Sequence, residues 1–476
     1  MLHNYYGFNK NDYGGFIIKI AVLNGSPKGQ LSVTLQYVFF LQRKFPEIEF
    51  KIFDVALKIK KLEEDDKLFQ DIVGQIAAAD AVLWAFPLYF FLVPSQYKRF
   101  IELIFERNST SAFRGKPVAV LTTSIKFFDH TAHNYLRDIC GDLEMKFFGS
   151  YSAEMYDLFK SKERRRLTLF GQLYIQAIKD GSGAIKSNKR LTNQSMVYEP
   201  ALLTQIDTDS KKVLIVVDDF SNSPNLRSMV ESFQKAFSPA AALVQLKDVD
   251  IKGGCLGCLK CGLDNSCVYQ GKDGFIDFFN GQIKTADILF FAGSIHDRFL
   301  SSLWKCFFDR SFFNGHIPVL EGKQTGFVIA GSFNQLSNLR EILEAYVDMQ
   351  HANLVGFVSD DMGGSPEIND ALQSMAASAV MYSKRGYLQP LKFYGVAGTK
   401  LLRDAVFDRL RVVFQADHKY YKKNGFYDFP QKKYKWRLIN SAIVSLTKIP
   451  FLRREFVKRM KVEMIKPFGR VLAKMK

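Results

Sequence analysis

The chain has 476 residues, 47% hydrophobic and 14% aromatic, too long for a single core and rich enough to fill two or three. No stretch reaches the ~18 uninterrupted apolar residues of a spanning helix, and residues 1–15 lack a signal peptide's apolar core, so neither a membrane-spanning nor an exported protein is expected. The net charge of +17 is uneven: residues 391–476 hold 22 Lys and Arg against 6 Asp and Glu, a net of +16, which leaves +1 for residues 1–390.

A hydrophobic strand is predicted over 16–23 (FIIKIAVL). It runs into Asn24-Gly25-Ser26-Pro27-Lys28-Gly29-Gln30-Leu31-Ser32-Val33-Thr34, after which LQYVFFLQRKF has helical period. Strand, polar glycine-containing turn and helix together present backbone N–H groups to a phosphate. Ser26, Ser32 and Thr34 add hydroxyls there, and Lys28 adds charge. The turn has neither the G-x-G-x-x-G of a dinucleotide site nor the G-x-x-x-x-G-K-[ST] of a P-loop. By itself such a turn is more often just an N-cap.

The alternation continues with strand 49–55, helix 66–79 and strand 81–86. Then come Pro87-Leu88-Tyr89-Phe90-Phe91-Leu92-Val93-Pro94, helix 95–107, strand 117–123 ahead of Ser124, helix 130–143 and strand 145–151. This pattern implies a parallel sheet with right-handed crossovers and ligands at the carboxyl ends of the strands. Both the Ser26 turn and the 87–94 loop leave such ends. The second is unusually aromatic, which suits a flat conjugated ligand, although the same rings would also cover a sheet edge.

Residues 180–210 lose periodicity and read as a linker. The pattern then restarts with strand 212–217, helix 224–237 and strand 242–246, and, after a cysteine-rich stretch, helix 274–284 and strand 287–292. Helix 300–310, strand 325–331, helix 335–348, strand 354–359 and helix 366–382 complete it. This is an internal repeat of whole domains, about 190 residues apart. YKRFIELIFER at 97–107 and LWKCFFDRSFF at 303–313 occupy equivalent places. The first turn of the second copy carries Asp218 and Asp219, which would repel a phosphate, and 293–298 has no Pro-Leu-Tyr. The expected domains are 1–195 and 211–390, followed by a basic helical tail, 391–476.

Four of the six cysteines, Cys255, Cys258, Cys261 and Cys267, fall within thirteen positions at C-x2-C-x2-C-x5-C spacing. Structural zinc usually takes two knuckles from separated places, whereas three thiolates at successive x2 spacings can wrap one face of a cubane. Val268 rather than proline follows the fourth, and no second cysteine set exists, which leaves all four for one [4Fe–4S] cluster. Zinc and a disulfide pair are the alternatives. Cysteines bunched at ligand spacing suit a reducing interior, so the expected location is the cytoplasm. Cys306 reads as a core thiol and His296 as a capping or surface residue.

In the tail, 436–449 is apolar and helical, and Leu452, Phe456, Met460, Met464 and Phe468 follow at i, i+4 spacing. Arg453, Arg454, Lys458, Arg459, Lys461 and Lys466 lie between them. Such a basic amphipathic helix can lie in an anionic membrane interface, here the inner membrane face, or pack on the protein's own body. No base-reading module is present, which disfavours nucleic acid.

The Asn24–Lys28 turn with Pro87-Leu88-Tyr89 resembles the NADPH-dependent FMN reductase branch of flavodoxin-like proteins. The cysteine stretch, with Asp273 after it, resembles the iron–sulfur flavoproteins of anaerobes. The resemblance spans residues 16 to 385 and implies two tandem flavodoxin-like, doubly wound α/β domains. It implies that Ser26, Lys28, Ser32 and Thr34 hold the FMN phosphate. Pro87, Leu88, Tyr89, Phe90, Phe91, Thr123 and Ser124 would line the flavin ring, and the four cysteines would ligate a [4Fe–4S] cluster. It further implies an oxidoreductase fed by NAD(P)H or ferredoxin and acting on a quinone-like or other acceptor. The other reading is an electron relay docked to a membrane or partner without a small-molecule substrate of its own. Members of that family are homo-oligomers in which one subunit's cluster approaches another's flavin. Flavin and cluster motifs lie in different halves here, so the expectation is a fused pseudo-dimer with the second domain's cluster facing the first domain's FMN; further self-association stays open.

Overall fold

A computed structural model describes residues 17–183, 191–192, 196–221, 223–428, 434–456 and 459. The first sheet is built from β1 (Lys19–Asn24), β2 (Glu49–Phe53), β3 (Ala81–Pro87), β4 (Pro117–Ser124) and β5 (Lys146–Glu154). Its order is β2-β1-β3-β4-β5 and every pairing is parallel. The second sheet is built from β6 (Val213–Val217), β7 (Ala242–Gln245), β8 (Ile288–Ser294), β9 (Gln324–Ala330) and β10 (Asn353–Ser359). It is also all parallel, in the order β10-β9-β8-β6-β7. Each sheet thus has the 2-1-3-4-5 order of the doubly wound flavodoxin-like fold. The central strands are apolar along their whole length because helices cover both faces: Ala81–Phe86 and Val213–Val217 are buried throughout.

Both sheets belong to one compact unit that runs to His418, and a second, smaller unit starts at Lys419. The predicted tail is therefore divided. The helix Phe393–Phe407 belongs to the first unit, where it packs on the helix Ser337–Met349 and buries Leu402 and Val406. Asp348 accepts from the backbone N–H groups of Lys392 (3.0 Å) and Gly395 (2.5 Å), which satisfies the first turn of that helix.

Other differences have local causes. The stretch 196–210 is no free linker: Tyr198 and Leu203 join the second core, and Ile206–Asp207 pairs with Phe237–Ser238. The predicted helix 274–284 is a short α-turn, Phe275–Phe278, continued by a π-turn, Phe279–Ile283. A helix over Ser161–Lys179, which the periodicity did not reveal, covers the first sheet with Leu167, Tyr174 and Ile175. Met460, Met464, Phe468, Lys458, Lys461 and Lys466 of the expected tail helix lie outside the described residues, as do residues 1–16. Among the described residues no helix is long and apolar enough to cross a membrane.

Candidate functional site: two facing loops

At the carboxyl edge of the first sheet, the turn after β1 is held by its own side chains. Ser26 N–H donates to Asn24 Oδ1 (3.1 Å), Lys28 N–H donates to Ser26 Oγ (3.3 Å), and Asn24 Nδ2 donates to Asp54 Oδ1 (2.7 Å). Gly25 is obligatory, since a Cβ there would stand 2.5 Å from the Tyr97 ring. Ser32 precedes the helix Val33–Lys44, yet its side chain makes no capping bond, and its buried Oγ has no partner. Thr34 Oγ1 and Thr123 Oγ1 are 2.6 Å apart, which ties this helix to the end of β4. Ser124 Oγ accepts from Lys126 N–H at 2.8 Å. The hydroxyl-bearing candidates are therefore gathered at one edge, as the strand order requires.

The loop after β3 closes as a tight hairpin. Tyr89 N–H donates to Leu92 O (2.9 Å) and Leu92 N–H to Tyr89 O (3.0 Å), with Phe90 and Phe91 at φ of +39° and +66° between them. Two bulky residues at positive φ are costly, and such strain persists only where the surroundings over-determine it. Here they do. Phe90 stacks on Phe308 (centroids 6.0 Å apart) and meets Tyr346 (5.5 Å), while Phe91 packs on Phe128 (4.3 Å). Pro87 and Leu88 are half-buried beside them, and Leu88 N–H donates to Thr123 O. Phe90 and Phe91 thus pack against the core from the loop. Tyr89 keeps a buried hydroxyl with no partner, and burial together with Cys255 raises its pKa well above the usual phenol value.

That hydroxyl points at the other half of the chain. A Cβ on Gly257 would lie 1.8 Å from Tyr89 OH and 2.8 Å from Lys28 Cε. Gln96 Nε2 donates to Cys255 O at 3.0 Å, and a Cβ on Gly254 would strike Ser95 Oγ. The cysteine loop therefore rests on both predicted flavin loops of the first domain. Lys28 reaches across to it: burial lowers its pKa, and Cys255 and Cys258 counteract that.

Cys255, Cys258, Cys261 and Cys267 are all free thiols and line one concavity, which Leu256, Tyr269, Arg310, Phe312 and Phe313 complete. The void they enclose is about 30 Å³. Burial pushes the Cys255 and Cys261 thiols up to about 12. Among the described residues no group of three or more His, Cys, Asp or Glu is arranged to hold a metal ion. Arg310 was not singled out from sequence. It is buried, forms a two-pronged pair with Asp273 (2.8 and 3.0 Å), donates to Gly253 O (2.9 Å) and lies over the Tyr269 ring at 4.2 Å. It thereby anchors the start of the cysteine loop.

The two halves meet through equivalent helices, Ser95–Glu106 and Ser302–Ser311, which pack on each other. Ser95 N–H donates to Asp309 Oδ2 (2.7 Å), and Ser302 N–H donates to Glu102 Oε1 (2.6 Å). Each helix start is thus capped by a carboxylate of the other. Buried Lys98 pairs with Glu102 (2.8 Å) and with Asp297 (2.9 Å); its counterpart Lys305 pairs with Asp309 and donates to Tyr89 O (2.9 Å). Contacts in which i meets j and the equivalent of j meets the equivalent of i are those of an isologous dimer, here within one chain. Periodicity could not show this; the matching Ser-x-x-Lys-x-x-x-[Glu/Asp] patterns at 95–102 and 302–309 could have.

Residues 18–156 match the family model described as NADPH-dependent FMN reductase. That match supports FMN as cofactor and NAD(P)H as donor of an oxidoreductase. Solved structures with a similar fold include an NADH:FMN oxidoreductase (EMOB) in its apo form, at 16% identity over 34% of this chain and 89% of that one, TM-score 0.29. The NAD(P)H:acceptor flavoenzyme FerB of Paracoccus denitrificans is 20% identical over 35% of this chain and 100% of that one, TM-score 0.28. An FMN-dependent NADH-azoreductase of Bacillus anthracis, in complex with FMN, is 14% identical over 34% and 99%, TM-score 0.26. No curated protein matches the chain.

Proposed function

We propose that the chain is an iron–sulfur flavoprotein oxidoreductase folded as a pseudo-dimer, with FMN on residues 18–156 and a [4Fe–4S] cluster on Cys255, Cys258, Cys261 and Cys267. The observation that carries the reading is the contact of Gly257 with Tyr89 and Lys28. It sets the cysteine loop against the loops assigned to the flavin, so electrons need not leave the chain.

The residues fit both groups. For FMN, the Ser32 hydroxyl is buried and unpartnered and the start of its helix has no side-chain cap, so both have donors to offer. For the cluster, four free thiols face one concavity, and among the described residues no carboxylate or imidazole lines it. Flavin exchanges electrons as hydride or singly and a four-iron cluster exchanges one, so together they join a two-electron donor to a one-electron carrier.

Within this arrangement Lys28 places a positive charge between the two sites, and Arg310 keeps the cluster loop seated through Gly253 O. Phe90 and Phe91 exclude water from the far side of the Tyr89 hairpin. Donors by this reading are NAD(P)H or ferredoxin, and acceptors are quinone-like. The test is anaerobic purification followed by a visible spectrum and iron, sulfide and flavin quantitation. About four iron and about one FMN per chain are expected. Flavin with stoichiometric zinc and no sulfide would refute the cluster; two flavins per chain would refute a single flavin site.

A further inference from the structure

We propose that the helical segment 434–456 seats the protein on an anionic lipid surface. In the helix Tyr434–Leu446, positions 438, 439, 442, 443 and 446 fall on one side, an apolar stripe of Leu, Ile, Ala, Ile and Leu, while Ser441 and Val444 fall outside it. The stripe is not packed away. Leu438 is 73% exposed and Leu446 54%, and past the turn at 447–449 Phe451 is 74% exposed. A soluble helix normally buries such a stripe, and a contiguous apolar patch rimmed by charge marks an interaction surface.

The charge decides what covers it. Residues 419–476 contain 17 Lys and Arg against 3 Asp and Glu, so nearly all of the chain's net charge sits in this one unit. A second copy of the chain would bring the same excess of positive charge against it and be repelled. A nucleic acid would take the charge but has no use for exposed Leu and Phe. An anionic bilayer takes both: its headgroups meet Lys448, Arg453 and Arg454, and its acyl boundary meets the stripe. With no helix able to cross a membrane among the described residues, the segment lies in the interface.

The test uses the full chain. Vesicles of phosphatidylcholine, with or without phosphatidylserine, are sedimented with wild type and with a Leu438→Glu, Phe451→Glu double variant. Both sites are exposed, and thermal melts confirm equal folding. The expected result is at least about tenfold more protein on the serine-containing vesicles, release by salt, and a loss of about tenfold in the variant. Absence of wild-type binding, equal binding to both vesicle types, or binding unchanged in the variant would each overturn the proposal. So would a concentration-dependent dimer in light scattering that the variant abolishes, which would assign the stripe to a second copy.

Discussion

Gly257 is where the two halves of the chain touch at the proposed electron-transfer site, and Gly257→Ala probes that contact. The glycine has φ +62°, where a residue with a Cβ loses roughly 1–2 kcal/mol. The new Cβ would also stand 1.8 Å from Tyr89 OH and 2.8 Å from Lys28 Cε. Forcing such a contact apart costs about 1–3 kcal/mol, so the total falls at about 2–5 kcal/mol. The two parts are separable. In a Tyr89→Phe background the clashing oxygen is gone, and most of the second part goes with it, while the backbone part stays. Denaturant unfolding of the wild type, both single variants and the double variant gives the coupling energy, expected at about 1–2 kcal/mol. If Gly257→Ala costs the same in both backgrounds, only backbone strain is at work. The cysteine loop then does not rest on Tyr89, and the argument for a direct path between the loops fails.

Lys98→Met leaves the buried carboxylates of Glu102 and Asp297 without their shared cation and should cost about 3–5 kcal/mol in denaturant unfolding; a cost under about 1 kcal/mol would mean that water reaches the pair. Cys261→Ser should retain FMN and lose iron in the same preparation, since a four-iron cluster needs its thiolate set; retention of full iron would refute the ligand assignment. Asp218→Asn tests the second domain's altered turn. Burial pushes the Asp218 carboxyl up to about 6, and its Oδ1 is buried without a partner. Because the folded pKa lies above the unfolded value, this group's contribution is fully present below about pH 4 and is lost as pH rises through about 6. The asparagine variant should therefore gain on wild type by up to roughly 3 kcal/mol between about pH 4 and about pH 8, checked by thermal melts across that range. A gain that does not grow with pH would show that Asp218 is solvated.

The sequence by itself was enough for the two sheets, because buried parallel strands are apolar on both faces and stand out as short runs between helices: 81–86 and 287–292 match β3 and β8 within two residues. It was enough, too, for the hydroxyl cluster, since Ser26, Ser32, Thr34 and Thr123 sit at strand ends that any 2-1-3-4-5 order brings to one edge. The helix 161–179 escaped because basic and polar residues dilute its apolar face, and 196–210 escaped because its anchors, Tyr198 and Leu203, are single residues without a period. What only the tertiary structure decided is how the halves face each other. Ser95 capped by Asp309 and Ser302 by Glu102 are pairs 214 and 200 positions apart in sequence. A local pattern reports the period of its own element, not the surface that element will meet. For the same reason Tyr89, Phe90 and Phe91 looked alike as loop aromatics. The tertiary structure packs the two phenylalanines against Phe308, Tyr346 and Phe128 and leaves the tyrosine hydroxyl facing Gly257.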